Sequence, residues 1–472
     1  MTFTEGGVDL VSYFIRRSFN MLSSIGFLGV ITTKTISQGD TKTACLDYIL
    51  NNRGEIIYAD RSIRWPGTAN VFISLIVISY QANNRQRYLG GRKVKYISSY
   101  LDESNESLII NLLAENKNRS FQGVVPLGKG FYLEDKQAEQ LIKEDDKCKL
   151  IIKNIINGDN LNSHPLLKSS RKIISFFDRT EEEARLFPGC FKIIYETVRL
   201  TRKIQKRANL RDKYWQYAEK RPALYAAIKN NTSVLVRTQA SKHNVFEFID
   251  NGQEYDQKLI VFASEDFALY SVLNSDIHFS WILKHSGDIG GTTLNYSPSK
   301  LFDTFPFPEN FWKKDNYALG LIGKQYSQYR LNLMSDLWLG LTDLYNLFHY
   351  SNLKALPKAK YKSKSDVSEL GYKGILELRN LHCQLDKTVI EAYGWQDINL
   401  LHDFYEVEYL PENDRVRYTI HPDARREILK RLLELNHKIH EQEVVDGLFE
   451  KKGKSKEKAA KTAESSQIGF EI

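Results

Sequence analysis

Apolar positions in the first eighty residues alternate between two periodicities. Val8, Val11, Phe14, Ile15, Phe19 and Leu22 recur at the spacing of one helical face. Gly26–Thr33 (GFLGVITT) is a short, continuous apolar run of the kind a buried parallel strand shows. Thr43–Asn52 predicts a second helix, with Asp40 placed to cap its start. Glu55–Ala59 and Asn70–Tyr80 predict two strands joined by DRSIRWPGTA, in which Pro66-Gly67 marks a turn. The order helix, strand, helix, strand, turn, strand predicts an α/β sheet of Rossmann-like type.

That sheet reads as incomplete. Sheets of this type place a glycine-rich cofactor turn after their first strand, and no such turn follows a strand here. GFLG lies inside a predicted strand, and LGKGF (Leu127–Phe131) follows no clear one. An open half-sheet leaves an apolar edge strand unpaired, a liability that proteins normally cover. The missing strands are expected from another polypeptide, unless the chain is the remnant of a truncated gene.

The middle of the chain, from about Ile151 to Pro308, mixes short apolar runs with turn residues and predicts an α+β domain. Its basic run Arg199–Arg221 (RLTRKIQKRANLRDKYWQYAEKR) interleaves cations with Tyr214, Trp215 and Tyr217, followed by Tyr225. From Asn316 the pattern turns helical. Ile428, Leu432, Leu435 and Ile439 form one stripe, with Arg425, Lys430 and Glu434 expected to face outward and Pro422 in the first turn. LPKAKYKSKSDVS (356–368) reads as an exposed basic loop. The division expected is 1–118 for the partial sheet, 119–312 for the α+β domain, 313–448 for a mainly α region, and 449–472 for a disordered Lys-rich tail.

The composition changes this picture in two ways. The net charge of +8 over 472 residues favours a polyanionic partner. The four cysteines, Cys45, Cys148, Cys190 and Cys383, form no CxxC pair, which argues against a disulfide framework or a zinc cluster. No apolar run reaches the roughly 20 residues of a membrane span, and no signal-peptide layout opens the chain. A reducing cytoplasm is the expected compartment.

Arg199, Arg202, Lys203, Lys206, Arg207, Arg211 and Lys213 are the candidate phosphate contacts, since few acids (chiefly Asp212 and Glu219) lie among them. The plain alternative is a solvated face. Arg237, Gln239, Ser241, Lys242, His243 and Asn244 in VRTQASKHN follow a short strand. They carry the planar donor and acceptor groups that read base edges, unless the segment is merely a hairpin connection. Asn160, Asn162, Ser163 and His164 read as turn residues. Asn274, His278 and Trp281 read as packed. His437 and His440, three apart beside Glu441, could ligate a metal but read better as a solvated helix face, so no metal is expected.

Several stretches together carry a family resemblance. DLVSYFIRRSFNML, GFLGVITTKTISQGD (to Asp40) and IIYADRSIRWPGTANVFISLIVI (Ile56–Ile78) resemble the second half of a class I adenine-N6 DNA methyltransferase domain. The likeness is to type IIG or MmeI-type restriction–modification enzymes. NGDNLNS, YWQYAEKRPALY, VLNSDIHFSW and FPFP resemble their target-recognition domain. LTDLYN, LRNLHCQLDKTVIEAYGW and RYTIHPDARREILKRLLELN resemble their C-terminal region. The matches run collinearly over about residues 5–445.

The resemblance implies that the adenine is flipped from double-stranded DNA and methylated from S-adenosyl-L-methionine. The cofactor loop and the Asn-Pro-Pro-aromatic motif lie, in that family, ahead of the matched region. This chain contains no Pro-Pro dipeptide. By itself it is therefore expected to lack catalytic and cofactor-binding residues, and to need an N-terminal methyltransferase half encoded separately. Ser37 and Gln38 of TISQGD, with Trp65 and Asn70 of WPGTAN, stand where the resemblance puts the wall of the target-base pocket. Two alternatives remain at this stage: a stand-alone DNA-binding specificity module, and an inactive gene fragment.

Overall fold

The computed structural model describes residues 8–69, 71–80, 85–103, 110–289, 293–360, 366–407, 410 and 414–449. Asn70, most of the Lys-rich tail and part of the basic loop after Lys360 lie outside them. Among the described residues, no helix is long and apolar enough to cross a membrane.

Helix α1 (Val11–Asn20) buries Ile15 and Phe19, and the Phe19 ring lies 4.8 Å from Tyr80. Strands β1 (Phe27–Thr33), β2 (Gly54–Arg64) and β3 (Phe72–Tyr80) then form a sheet in the order β1-β3-β2. Short strands β4 (Arg87–Leu89) and β5 (Arg92–Val94) extend it past β2. Because β3 is antiparallel to both neighbours, β1 and β2 run the same way and end together: Thr33 of β1 and Ile63 of β2 both face Ile73. The central β3 is nearly continuously buried, as a strand covered on both faces should be.

Three expectations for this region are corrected. Among the described residues β1, expected as a buried parallel strand, is an edge strand antiparallel to β3, and its Phe27 and Ile31 are exposed. Strand β2 continues well past Ala59, because register breaks at Ile56/Tyr58 and Asp60/Ile63 let the polar DRSIR stretch stay on the ladder. The helical run 39–51 starts at Gly39, whose φ of +50° allows the sharp entry. Asp40 does not cap that helix; its carboxylate accepts from Lys300 Nζ at 2.9 Å.

The central segment holds β6 (Ser120–Gln122), β7 (Ser233–Thr238), β8 (Ala240–Ser241), β9 (Glu247–Asp250) and β10 (Leu259–Phe262). Four of them form one sheet in the order β9-β7-β10-β6. The hairpin β11 (Gly287–Ile289) and β12 (Thr293–Asn295) pairs with β8. The helices used below are α2 (Pro188–Arg202), α3 (Asp276–His285), α4 (Tyr317–Leu337), α5 (Leu341–Phe348), α6 (Glu369–Ala392) and α7 (Pro422–Val445). A last antiparallel pair, β13 (Asp403–Glu406) and β14 (Val416–Thr419), stands between α6 and α7.

Apolar burial gathers into three clusters. One holds the N-terminal sheet, from Ile15 to Leu101. A second, from Val124 to Tyr217, packs α2 against the aromatics of the basic run. The largest runs from Ile156 to Leu433 and joins the central sheet to α4, α6 and α7. Arg330 of α4 is fully buried on that seam, with Nη2 2.7 Å from Glu247 of β9 and Nη1 donating to Tyr345 at 2.8 Å. On α7, Ile428 and Leu432 are buried as the stripe requires, while Leu435 and Ile439 are half-buried. Arg425, expected to face outward, is buried instead and donates to Thr419 Oγ1 at 3.1 Å.

Candidate nucleic-acid interface

Pro188 opens α2, where a missing N–H costs nothing and φ is already suited to the helix. The helix carries its last turn, Arg199 and Arg202, out to the basic run. Arg202 does not face solvent there. At 1% exposure it donates to four carbonyls: Pro126 at 2.5 Å, Leu127 at 3.2 and 3.3 Å, Tyr214 at 3.2 Å and Gln216 at 2.6 Å. Burial pulls its ionisation down to about 10. Arg202 thus ties the chain before Gly128 to the chain after Lys213.

Tyr214, Trp215 and Tyr217 are buried too, with Trp215 Nε1 donating to the Arg179 carbonyl at 2.9 Å. These rings pack and offer no stacking surface. Tyr225 is half-buried against Tyr255 and Phe177. What the run does expose is Lys203, Lys206, Arg207, Arg211 and Lys213, with Arg199 half-buried over the Tyr195 ring at 4.5 Å. Arg211 Nη1 donates to the carbonyls of Gln205 and Lys206 at 2.8 and 3.0 Å, which holds the turn in shape. Among the described residues no carboxylate pairs with these cations, so their charge is available.

The polar loop after β7 divides in the same way. Arg237 is fully buried between Phe246 and Tyr296, its Nη1 donating to Asn244 Oδ1 at 3.2 Å, and burial pulls its ionisation down to about 10. Asn244 spends its amide on the Leu273 carbonyl at 2.9 Å. His243 is buried, with Nε2 3.1 Å from Asn346 Oδ1. These three hold the loop and are closed to a ligand. Gln239, Ser241 and Lys242 remain half-exposed, beside the β11–β12 hairpin.

Ser37 and Gln38 leave the carboxyl end of β1, and Trp65 leaves the matching end of β2, so the sheet brings them to one side. Ser37 is buried and donates to the Lys34 carbonyl, whereas Gln38 Oε1 is buried with no hydrogen-bond partner. Trp65 is 38% exposed. A cleft of about 1090 Å³ opens next to Gln38, between the helical run 39–51 and the α3 end, lined also by Lys42, Tyr100, Lys284 and Lys300. Its lysines pair with Asp47, Asp102 and Asp40, and Arg16 adds a further cation to the lining.

Asn160, Asn162 and Ser163 sit in the short helix Gly158–Ser163, capped by Asn157. Asn274 bonds backbone groups of Phe246 and Tyr270, His278 lies 3.1 Å from Tyr296 OH, and Trp281 is fully buried. His440 Nδ1 lies 2.9 Å from the Leu112 carbonyl, and among the described residues no metal-ligating group forms around it and His437. Sequence reasoning missed a different cluster, Asp276, Asp386 and His402. There His402 Nε2 donates to Asp386 Oδ2 at 2.8 Å, and Asp276 accepts from Thr419 Oγ1 at 2.8 Å. Although burial opposes its charge, the Asp386 contact raises His402 to about 11. These residues are far apart along the chain, so no local spacing could reveal them.

The geometry can be set beside known proteins. Residues 115–309 match the family model of the MmeI target recognition domain. No curated protein matches the chain. A solved DNA complex of the type IIL restriction–modification enzyme MmeI shares its fold, with a TM-score of 0.67 at 16% identity. The similarity covers 92% of this chain and 53% of that one, so this chain spans about half the length of the protein it resembles. Residues 115–309 are thus similar to the target recognition domain of MmeI.

Proposed function

We propose that the chain is the DNA sequence-recognition portion of a site-specific adenine-N6 DNA methyltransferase or restriction–modification enzyme. An N-terminal methyltransferase half completes it, whether fused or separately encoded. The recognition role rests on the 115–309 match and on the unpaired cations of the basic run. The reading follows MmeI, whose solved complex contains DNA.

One observation carries the need for a second half. β1 has a single partner, β3, among the described residues, and its outer edge is open. Phe27 and Ile31 on that strand are exposed, Ile31 at 62%. On α1 next to it, Leu10, Phe14 and Met21 form a second apolar stripe in solvent, with Phe14 at 72%. A long, apolar, unpaired edge with an apolar helix face beside it suits a further strand and helix of a larger α/β sheet.

The described residues that follow β1 do not fit S-adenosyl-L-methionine. β1 runs into the 3₁₀ turn Lys34–Ser37, with Ile36 fully buried, and forms no glycine-rich cradle for a methyl donor. The donor is therefore assigned to the other half. This chain's part is to hold the duplex and to line the target base with Gln38 and Trp65. The four free thiols suit the cytoplasm.

Methyl transfer to duplex DNA tests the reading. The chain alone should transfer none, and the chain mixed with an Asn-Pro-Pro-aromatic half should do so. Phe14→Asp with Ile31→Asp should block co-purification of the halves and leave this chain's melting midpoint unchanged. Adenine methylation by this chain alone would refute the reading.

A further inference from the structure

Where the loop after β7 meets β14, buried cationic donors outnumber their acceptors. Arg417 of β14 is 3% exposed, and its Nη1 lies 3.4 Å from His243 Nδ1. Its Nε and Nη2 have no hydrogen-bond partner. The His243 and His349 rings stack with centroids 5.4 Å apart at 14°, and His349 Nδ1 is also buried without a partner. Burial, helped by Arg417, holds both imidazoles well below the usual histidine range, so neither adds charge. Among the described residues, the carboxylate facing this group is Asp414. Its Oδ1 lies 3.4 Å from Arg417 Nη2 and 3.5 Å from Lys242 Nζ. Both distances exceed the 2.7–2.9 Å typical of a tight charge-assisted bond. Two cations share one loosely held carboxylate, and the Lys242 and Asp414 side chains are each about one-third exposed.

Buried donors without partners call for a missing acceptor. We propose that Lys242 and Arg417 form a seat for a backbone phosphate of duplex DNA, which the Asp414 carboxylate occupies until DNA arrives. The inference rests on the recognition role proposed above and extends it to a segment outside residues 115–309. The Nε–Nη2 edge of a guanidinium is the edge that grips an oxyanion by two parallel bonds. Lys242 adds a mobile point charge from the same loop as Gln239 and Ser241. A phosphate held there fixes the duplex beside that loop, because phosphate contacts set register while base edges are read alongside.

Binding of a duplex to the full chain, followed by fluorescence anisotropy over a salt titration, tests the seat. Lys242→Ala should weaken binding and flatten the log–log salt slope by about 0.9. Asp414→Asn, by removing the internal competitor, should tighten binding about two- to fivefold. Unchanged slope in Lys242→Ala, or weaker binding in Asp414→Asn with an intact melting transition, overturns the seat. Lys206→Ala separates the two readings: if it flattens the slope while Lys242→Ala does not, recognition stands and the seat falls. If the wild type binds no duplex, the recognition reading falls and the DNA seat with it. Inorganic phosphate then shows whether any anion site remains, by stabilising the wild type more than Lys242→Ala.

Discussion

Replacing Arg202 by Met should unfold part of the segment 115–309 rather than weaken the DNA binding proposed for it. The guanidinium engages four carbonyls from two separate stretches, Pro126–Leu127 and Tyr214–Gln216. At about 1.5–2 kcal/mol for each carbonyl bonded to a charged donor, these contribute about 7 kcal/mol. Burial pulls the group's ionisation down to about 10, and that desolvation offsets about 3 kcal/mol. About 4 kcal/mol should therefore be lost in Arg202→Met, within the range for breaking a buried charged network.

Urea unfolding with hydrogen exchange read by mass spectrometry measures this. Protection should fall in peptides covering 124–131 and 213–217 and persist in α6. The comparison is Lys203→Ala, Lys206→Ala and Arg207→Ala together, which change only exposed groups. That variant should keep its unfolding midpoint and lose about 2.7 from its salt slope on DNA. The reasoning fails if Arg202→Met costs less than about 1 kcal/mol while its salt slope drops by about 0.9.

Two further outcomes follow from buried charges. Arg330→Met alone strands Glu247 in the core and should cost about 3–5 kcal/mol, whereas Arg330→Met with Glu247→Met should recover most of the loss; equal midpoints for the single and double variants would contradict this. Burial raises the Asp303 carboxyl to about 6, against nearby Lys117. The folded state then binds the extra proton between the unfolded value near 3.9 and about 6. Its contribution is present below that window and is lost as pH rises through it. Asp303→Asn should raise stability at neutral pH and flatten the melting midpoint between about pH 4 and 6; superimposable curves would show that Asp303 is not perturbed.

The N-terminal elements were legible because their signal is local. Period and run length mark α1, β1 and β3 to within three residues. The extension of β2 was not, since its polar half is carried on the ladder by bulges that β3 imposes. The same limit governs the site. A basic run announces charge, but identical residue types face opposite ways within it: Arg202 inward, Lys206 and Arg207 outward.

The chain's letters thus determined where charge, turns and apolar periodicity fall, because each is set by neighbours a few residues away. They also carried the collinear family likeness. Only the folded arrangement decided which cations stay free. Arg202, Arg237, Arg330 and Arg417 are buried by partners 7 to 174 positions distant, and desolvation acts on three-dimensional surroundings that no short window contains. The open edge of β1 belongs to the same class. Its apolar run was plain, but whether another strand covers it depends on the sheet order, which puts β3 on one side and, among the described residues, leaves the other bare.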